Sequence, residues 1–379
     1  LAFLAWVTLT IVWSPDRGEG AMLVIRLLIA FGIVWLVASV GRTPERYYGL
    51  MWAWLLASCA IGTVGLIVGT YESAVYGDIA FKAMSGGGRV GGLGQHPNWF
   101  AMAMAFGINP AFVLAYSEPN RAKKVLLVAA ALWLLLVAVS TGSRGAVWGT
   151  GVGSLFLALH NTRLRRFLYS YWFLIAGAFA TALLVGFGSL TSAFYRVATR
   201  GLGTFWQGDV RFANWQVCYD MAVESLGLGI GAGGYDTLLP VFNERLALSL
   251  YAYPHGVLWD VMAHYGVPGL ALWGALCWLV IRHYRQARAA VRGTRIELWL
   301  IGMMAGIVGY WAHSLVEFHI EDKPYWTFLG IFLGLVVAAR KLAKDPEALR
   351  RFERGTETAE EAPVPVSEPG EESPTPAGA

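Results

Sequence analysis

The chain is poor in charged residues, which make up 14% of its 379 positions. Soluble domains carry about 25% of such residues. The shortage excludes an ordinary water-soluble globular protein, and the hydrophobic fraction of 56% and the mean hydropathy of +0.51 point the same way. The 17 Trp and 16 Tyr are residue types that gather at membrane interfaces. The net charge of +4 then reflects membrane topology, and we expect no nucleic-acid partner.

Cysteine is scarce as well, with only Cys59, Cys218 and Cys277 in the chain. They form no CxxC motif and no Cys/His spacing, which argues against a zinc site and against a disulfide framework. Carboxylates are sparse beside the apolar runs, whereas a divalent-cation site needs them in clusters. We therefore expect neither a metal ion nor a cofactor.

Long apolar runs are what the chain has instead, and they predict an all-α polytopic membrane protein with about ten transmembrane helices. The first run is incomplete, and no basic segment precedes it, which predicts a missing N-terminal part rather than a signal peptide. The predicted spans are 1–13, 21–40, 47–70, 97–117, 123–140, 144–160, 168–188, 266–281, 297–315 and 324–340.

Basic residues concentrate in alternate connections between these spans, and the positive-inside rule places those connections in the cytoplasm. They are Arg42 and Arg46; Arg121, Lys123 and Lys124; Arg163, Arg165 and Arg166; Arg282, Arg285, Arg288, Arg292 and Arg295; and Arg340, Lys341, Lys344, Arg350, Arg351 and Arg354. The other connections, among them the long segment 189–254, then face the outer side. A loop of that length is usually functional. Its apolar spacing predicts an amphipathic helix over 205–224 that lies on the membrane surface.

This topology divides the chain into four parts. Residues 1–188 are predicted to form transmembrane helices with short loops, and residues 189–265 a periplasmic helical segment that carries part of the functional site. Residues 266–340 hold the C-terminal transmembrane helices. Residues 341–379 are predicted to be a disordered cytoplasmic tail, because 355–379 contains five Pro, six Glu and no basic residue.

The outer side is rich in imidazoles and guanidiniums, which suits binding of an anion such as a diphosphate, with a His available for proton transfer. His255 follows Pro254, so it is expected at a helix start facing the outer aqueous layer. Asp260 and His264 lie five and nine residues after it. Neither offset is a helical i+4 spacing, so the sequence indicates no orienting partner.

Two arginines are candidates for binding the anion. Arg144 follows Ser143, a plausible helix N-cap, so the helix N-terminus and the guanidinium would both favour an anion there. The alternative is that Arg144 only sits at the membrane interface. Arg211 lies one turn before Trp215 and shares its helix face. The alternative for Arg211 is a solvated charge or an aromatic stack.

A glycine-rich run follows, Gly227-Leu228-Gly229-Ile230-Gly231-Ala232-Gly233-Gly234-Tyr235. Such a run can aim backbone N–H groups at a phosphate. It can equally form a tight turn between packed helices, and the sequence leaves both interpretations open. No βαβ pattern surrounds it, so it is not a dinucleotide-binding fingerprint.

Four motifs together resemble the O-antigen ligase family, which belongs to a superfamily of ligases and polymerases acting on polyprenyl-linked glycans. The resemblance covers about 85–340. The motifs are His255-Gly256-x9-Gly266-Val267-Pro268-Gly269, Arg89-x4-Gly94-Gln95-His96-Pro97-Asn98, Ser143-Arg144-Gly145 and Arg211-x3-Trp215. The motif that begins at His255 departs from the family at Gly256, where Asn, Ser or Gln is usual.

The resemblance implies an enzyme of the bacterial inner membrane, with about twelve spans in the whole family protein. Such an enzyme transfers O-antigen glycan from undecaprenyl diphosphate to a sugar hydroxyl of lipid A–core at the periplasmic face, by metal-independent inverting transfer. By carry-over, His255 would be the general base, and Arg144 and Arg211 would hold the diphosphate and stabilise the leaving group. Arg89 would be a weaker candidate for that role, and Asn98 and Trp215 further substrate-binding residues.

Other functions remain open on the sequence. A glycan polymerase or a protein O-oligosaccharyltransferase of the same superfamily uses the same donor and differs in its acceptor. A transporter is a different class, and it would place ionisable residues and broken helices near the middle of the membrane. The charges here cluster at the outer margin, which favours glycan transfer.

Overall fold

The computed structural model describes residues 1–75, 97–141, 143–170, 210–246, 254–317 and 323–361, with the isolated positions 173 and 177. Within these ranges the regular structure is helical throughout, which confirms the all-α class. The helices are α1 (Ala2–Thr10), α2 (Arg17–Val40), α3 (Pro44–Val75), α4 (Pro97–Ser117), α5 (Arg121–Ser140), α6 (Arg144–His160), α7 (Thr162–Ser170), α8 (Val210–Glu224), α9 (Gly234–Arg245), α10 (Val257–Ala290), α11 (Arg295–Ser314), α12 (Lys323–Leu342) and α13 (Pro346–Glu361).

Seven helices in the described part of the chain are long and apolar enough to cross a membrane: α2, α3, α4, α5, α10, α11 and α12. Helix α1 has 9 residues and α6 has 17, both too short to count. The predicted span 168–188 lies mostly outside the described residues. The predicted span 266–281 is part of the 34-residue helix α10. The number of about ten spans therefore stays a prediction.

Small residues bring α6 and α11 into close contact. A Cβ atom on Gly149 would lie 2.5 Å from the carbonyl oxygen of Gly309, and one on Gly153 would lie 2.5 Å from that of Ala305. Close approach of backbones through small residues is a common way of packing helices in membranes. The contact fixes the start of α6 beside the end of α11, where the candidate site lies.

The glycine-rich turn between α8 and α9 packs against a kink in α10. At Gly266 the backbone of α10 leaves helical geometry, with φ at 65°. The N–H groups of Ile230 and Gly231 donate to the carbonyls of Ala263 and His264, each over 2.9 Å, and Val267 N–H donates to Gly227 over 2.9 Å. Because these amides bind α10, they support the tight-turn interpretation over the phosphate-binding one.

Several of the basic connections meet at one end of the helices. Near that end, Trp299 of α11 donates from Nε1 to Ser117 Oγ over 2.8 Å and stacks on Tyr48 of α3 at 5.4 Å between centroids. Tyr48 also hydrogen-bonds Glu118, just after α4. The connections before α3, after α4 and before α11 therefore share one side of the bundle, as the alternation of basic loops predicts.

Helix α8 forms the described part of the predicted helix 205–224, because residues 205–209 lie outside the described ranges. It packs against α10 with Val217, Cys218 and Met221 fully buried, and its location on the membrane surface stays a prediction. One expectation needs correction. The tail 341–379 is not wholly disordered, because α13 occupies Pro346–Glu361. Apolar residues on one face of α13 pack against the bundle, and this packing stabilises the helix despite the polar composition of the segment. Residues 362–379 lie outside the described part.

Candidate active site

A cluster of three side chains from distant parts of the chain lies where α8, α10 and α11 meet. Glu317, three residues past the end of α11, is the centre of it. Its Oε1 accepts a hydrogen bond from Nη2 of Arg211 at the start of α8. Its Oε2 lies 3.1 Å from Nδ1 of His255, just before α10. One carboxylate therefore joins the predicted base and one predicted anion-binding arginine.

The carboxyl group of Glu317 is buried among groups that favour its ionised form. Its side chain is 5% exposed, and its backbone N–H donates to the carbonyl of His313 over 3.1 Å in the turn that ends α11. Burial on its own would raise the pKa of the Glu317 carboxyl. The hydrogen bond with His255 and the charge of Arg211 outweigh burial and hold that pKa well below its usual range.

Trp215 holds the backbone of His255 in an uncommon conformation. His255 has φ at 55°, in the left-handed region that residues other than Gly rarely adopt. The indole Nε1 of Trp215 donates to the His255 carbonyl over 3.4 Å. The same indole stacks on Trp259 in the first turn of α10, with centroids 5.9 Å apart and planes 17° apart. Arg211 and Trp215 thus act from one face of α8, as their spacing predicts.

The residue that departs from the family motif, Gly256, lies against this indole. A Cβ atom at Gly256 would be 3.0 Å from Nε1 of Trp215 and 3.2 Å from the carbonyl oxygen of Leu315. Both distances are tighter than ordinary van der Waals contact. In this protein a side chain at position 256 would therefore press on the residue that holds His255.

Arg144 is the first residue of α6, and its side chain lies outside the described part of the structure. The predicted cap is confirmed, because Ser143 Oγ accepts from the N–H of Ala146 over 3.3 Å. Gly145 lies against the imidazole of His313, where a Cβ atom would overlap the ring. His313 is 1% exposed and four residues before Glu317. The N-terminus of α6, a favourable place for an anion, is therefore beside the cluster.

The remaining predicted site residues have different outcomes. Arg89 lies outside the described residues. Asn98 is buried, at 4% exposure, in the first turn of α4. The roles of both residues stay predictions. Asp260 and His264 bind each other, with Oδ1 and Nδ1 2.9 Å apart and both side chains fully buried. This pair belongs to the packing of α10.

Glu317 is the residue that the sequence analysis missed. It lies 62 residues after His255, in another connection, so no local spacing links the two. The available signal was an acid at the outer margin of a span, in the predicted outer connection 316–323. Within the described ranges, no three His, Cys, Asp or Glu side chains form a group that could hold a metal ion.

These features define a polytopic membrane protein with an imidazole, a guanidinium and a buried carboxylate joined at one end of its helices. Residues 129–274 match the model of the O-antigen ligase family. This confirms the resemblance over that stretch, which contains Arg144, Arg211, Trp215 and His255 and ends before Glu317. Over that stretch the chain is similar to O-antigen ligases, which supports a function of the ligase and polymerase type in general. No curated protein matches the chain.

Proposed function

We propose that the protein transfers O-antigen glycan from undecaprenyl diphosphate to a sugar hydroxyl of lipid A–core, at the periplasmic face of the bacterial inner membrane. The observation that supports this most is the single carboxylate of Glu317, which binds both Arg211 and His255. A base beside a guanidinium is the pairing needed to activate a hydroxyl next to a diphosphate leaving group.

His255 is the general base in this proposal. An ionised Glu317 accepts a hydrogen bond from Nδ1–H of the imidazole, so the neutral ring carries its proton on Nδ1 and its lone pair on Nε2. Nε2 takes the proton of the acceptor hydroxyl as the acceptor oxygen bonds to the anomeric carbon of the glycan. The bond from that carbon to the diphosphate oxygen breaks, and undecaprenyl diphosphate leaves. Attack from the opposite side inverts the anomeric centre.

Arg211 stabilises the diphosphate as its charge grows. A guanidinium carries five N–H donors, so an arginine that binds Glu317 can also bind phosphate oxygens. Arg144 has the same role from the start of α6, where the positive end of the helix dipole adds to it. The transfer needs no metal in this scheme, because charge stabilisation comes from these cations. Arg89 and Asn98 are further donor-binding residues in the proposal, and Trp215 positions His255.

The test is a reconstituted transfer assay with undecaprenyl-diphosphate glycan as donor and lipid A–core as acceptor. His255→Ala should abolish transfer while the protein stays inserted and binds donor. His160→Ala is a matched control, because His160 is exposed at the far end of α6 from Arg144. Unchanged transfer by the His255 variant would overturn the assignment of the base.

A glycan polymerase is the second candidate, because the matched family domain fits it equally well. The acceptor distinguishes the two. A ligase transfers to lipid A–core, whereas a polymerase extends a second undecaprenyl-linked glycan. The same preparation should be given each acceptor separately. Product on lipid A–core alone supports the ligase, and product on the lipid-linked glycan alone replaces it with the polymerase.

A further inference from the structure

A cavity of about 640 Å³ lies at the end of the helices remote from His255. It is formed by the connection between α10 and α11, the end of α12 and the start of α13. Helix α10 separates it from the candidate active site, and the part of α10 after the kink at Gly266 alone is about 36 Å long at 1.5 Å per residue. The cavity is thus a separate feature from the proposed transfer site.

The cavity has a basic rim. Arg292 reaches it from the α10–α11 connection, and Arg350 and Arg354 reach it from α13. Arg350 and Arg354 are four residues apart and so share a helix face. Neither Arg292 nor Arg350 has a carboxylate partner among the described residues. An anion in the cavity would offset the charges of Arg292 and Arg350.

The acids nearby are already bound to other cations. Glu353 also lines the cavity, but its Oε1 accepts from the backbone N–H of Arg295 over 2.9 Å, and its Oε2 lies 3.3 Å from Arg295 Nε. Glu297 accepts from Arg288 Nε over 3.0 Å and from Gly293 N–H over 2.8 Å. These two carboxylates are therefore bound to Arg295 and Arg288 and not to Arg292 or Arg350.

The wall that carries the arginines is held in place. The guanidinium of Arg295 lies 4.6 Å from the ring centroid of Phe352, and that ring packs edge-on against Trp299. Leu349 is buried at 6% exposure. These contacts fix α13 against the bundle, so Arg350 and Arg354 are presented across the cavity from Arg292 rather than on a loose tail.

The cavity also adjoins the ends of three candidate spans. It lies beside the end of α10, the start of α11 and the end of α12. Its lining combines apolar residues such as Val291 and Leu349 with polar and charged ones. Basic pockets of this kind between transmembrane helices bind phospholipid headgroups, and the volume falls in the range of about 300–1,000 Å³ of small-molecule sites.

We propose that this cavity binds the phosphate of an anionic phospholipid headgroup, through Arg292, Arg350 and Arg354. The group that the arginines bind is a phosphate ester, and the position of the cavity at the ends of three candidate spans favours a lipid over a soluble ion. Bound lipid would hold α13 on the bundle at the face opposite the proposed transfer chemistry.

Native mass spectrometry of the purified full chain tests the proposal, with phosphatidylglycerol and phosphatidylcholine titrated in separate samples. Wild type should retain phosphatidylglycerol in preference to phosphatidylcholine. Arg292→Gln with Arg350→Gln should weaken phosphatidylglycerol binding about 30-fold, as expected for loss of two basic contacts to an anionic lipid. Arg163→Gln with Arg165→Gln is the matched control, since both arginines are exposed on α7, outside this cavity.

The proposal is overturned if the Arg292 and Arg350 double variant binds phosphatidylglycerol as tightly as wild type does. It is also overturned if the control variant with Arg163→Gln and Arg165→Gln loses as much phosphatidylglycerol binding as the double variant. In a further experiment, glycerol phosphate and inorganic phosphate are added as competitors of bound phosphatidylglycerol. Displacement of phosphatidylglycerol by either at the same concentration would replace the lipid with a soluble anion and so overturn the lipid assignment. Thermal unfolding reports whether the double variant folds. Arg292→Gln alone, in an exposed connection, gives the same comparison if it does not.

Discussion

Glu317 Oε2 lies 3.1 Å from Nδ1 of His255, although 62 residues separate them in the chain. A carboxylate on Nδ1 fixes the imidazole tautomer and stabilises the imidazolium that forms when Nε2 takes a proton. The same carboxylate binds Arg211. Glu317 is therefore a positioning residue for two proposed functional groups at once, and its removal should affect both.

Glu317→Gln keeps the size of the side chain but removes its charge. We expect the transfer rate at saturating substrate to fall about 100-fold or more, the range that general-base catalysis contributes, with a smaller change in donor KM. Initial rates in the reconstituted assay measure both quantities. Glu224→Gln is the control, because Glu224 forms an exposed ion pair with Arg245. Equal loss in both variants would indicate a general charge effect instead.

The stability conferred by Glu317 should depend on pH. The pKa of its carboxyl is lowered in the folded protein, below the value of about 4.3 expected when unfolded. The contribution is therefore complete above about pH 4.3 and is lost as the pH falls toward the folded pKa. The difference in thermal midpoint between wild type and Glu317→Gln should stay constant near neutral pH and narrow in acid. If the difference in thermal midpoint increases as the pH is lowered, the lowered pKa of Glu317 does not contribute to stability in this way.

Parts of this site were predictable because they are local. Arg211 and Trp215 are four residues apart on one helix, and Ser143 caps the helix that begins at Arg144, so periodicity and capping preferences were enough. Glu317 was not predictable in that way, because it reaches His255 only through the packing of α11 beside α8 and α10. A single sequence carries no spacing rule for such a contact.

In the fold, too, local features were predictable from the sequence and tertiary features were not. Apolar runs located several spans to within a few residues, for example 97–117 against Pro97–Ser117 and 297–315 against Arg295–Ser314, whereas 266–281 is only part of the helix Val257–Ala290. The glycine-rich run was ambiguous, because its amides could donate to a phosphate or to another backbone. The choice depended on the kink at Gly266, a tertiary feature.

Trp215 and Gly256 should be energetically coupled. Trp215→Phe loses the hydrogen bond to the His255 carbonyl but keeps a ring on Trp259, and we expect the transfer rate to fall about five-fold, for about 1 kcal/mol. Gly256→Ala adds a Cβ only 3.0 Å from the indole Nε1, which should displace Trp215 and lower the rate as well. The smaller Phe ring removes that crowding. The double variant should therefore lose less than the product of the single effects, whereas strictly multiplicative effects would show that the two residues act independently.

The close contact of α6 and α11 makes a matched pair of glycine substitutions informative. A Cβ at Gly149 would meet the Gly309 carbonyl oxygen at 2.5 Å, so Gly149→Ala must push the helices apart, at about 1–3 kcal/mol for overpacking. At Gly151, two residues on in the same helix, a Cβ meets nothing within 4 Å. Gly151→Ala should therefore be neutral or stabilising by about 0.5–1 kcal/mol. Thermal unfolding in detergent distinguishes them, and equal midpoints would show that the contact is not tight.

The pair of Asp260 and His264 should matter for stability and not for chemistry. Both side chains are fully buried, and their Oδ1 and Nδ1 atoms are 2.9 Å apart. Breaking such a buried pair costs about 3–5 kcal/mol when no other partner remains, and the Asp260 carbonyl, 3.0 Å from His264 Nδ1, keeps the cost at the lower end. Asp260→Ala should therefore lower the thermal midpoint and the folded yield strongly, and Asp260→Asn less, because its amide oxygen can still accept from His264. The transfer rate per folded molecule should stay close to that of wild type in both. A rate that collapses while the folded yield holds would instead place this pair in the reaction, as a second imidazole and carboxylate acting beside His255.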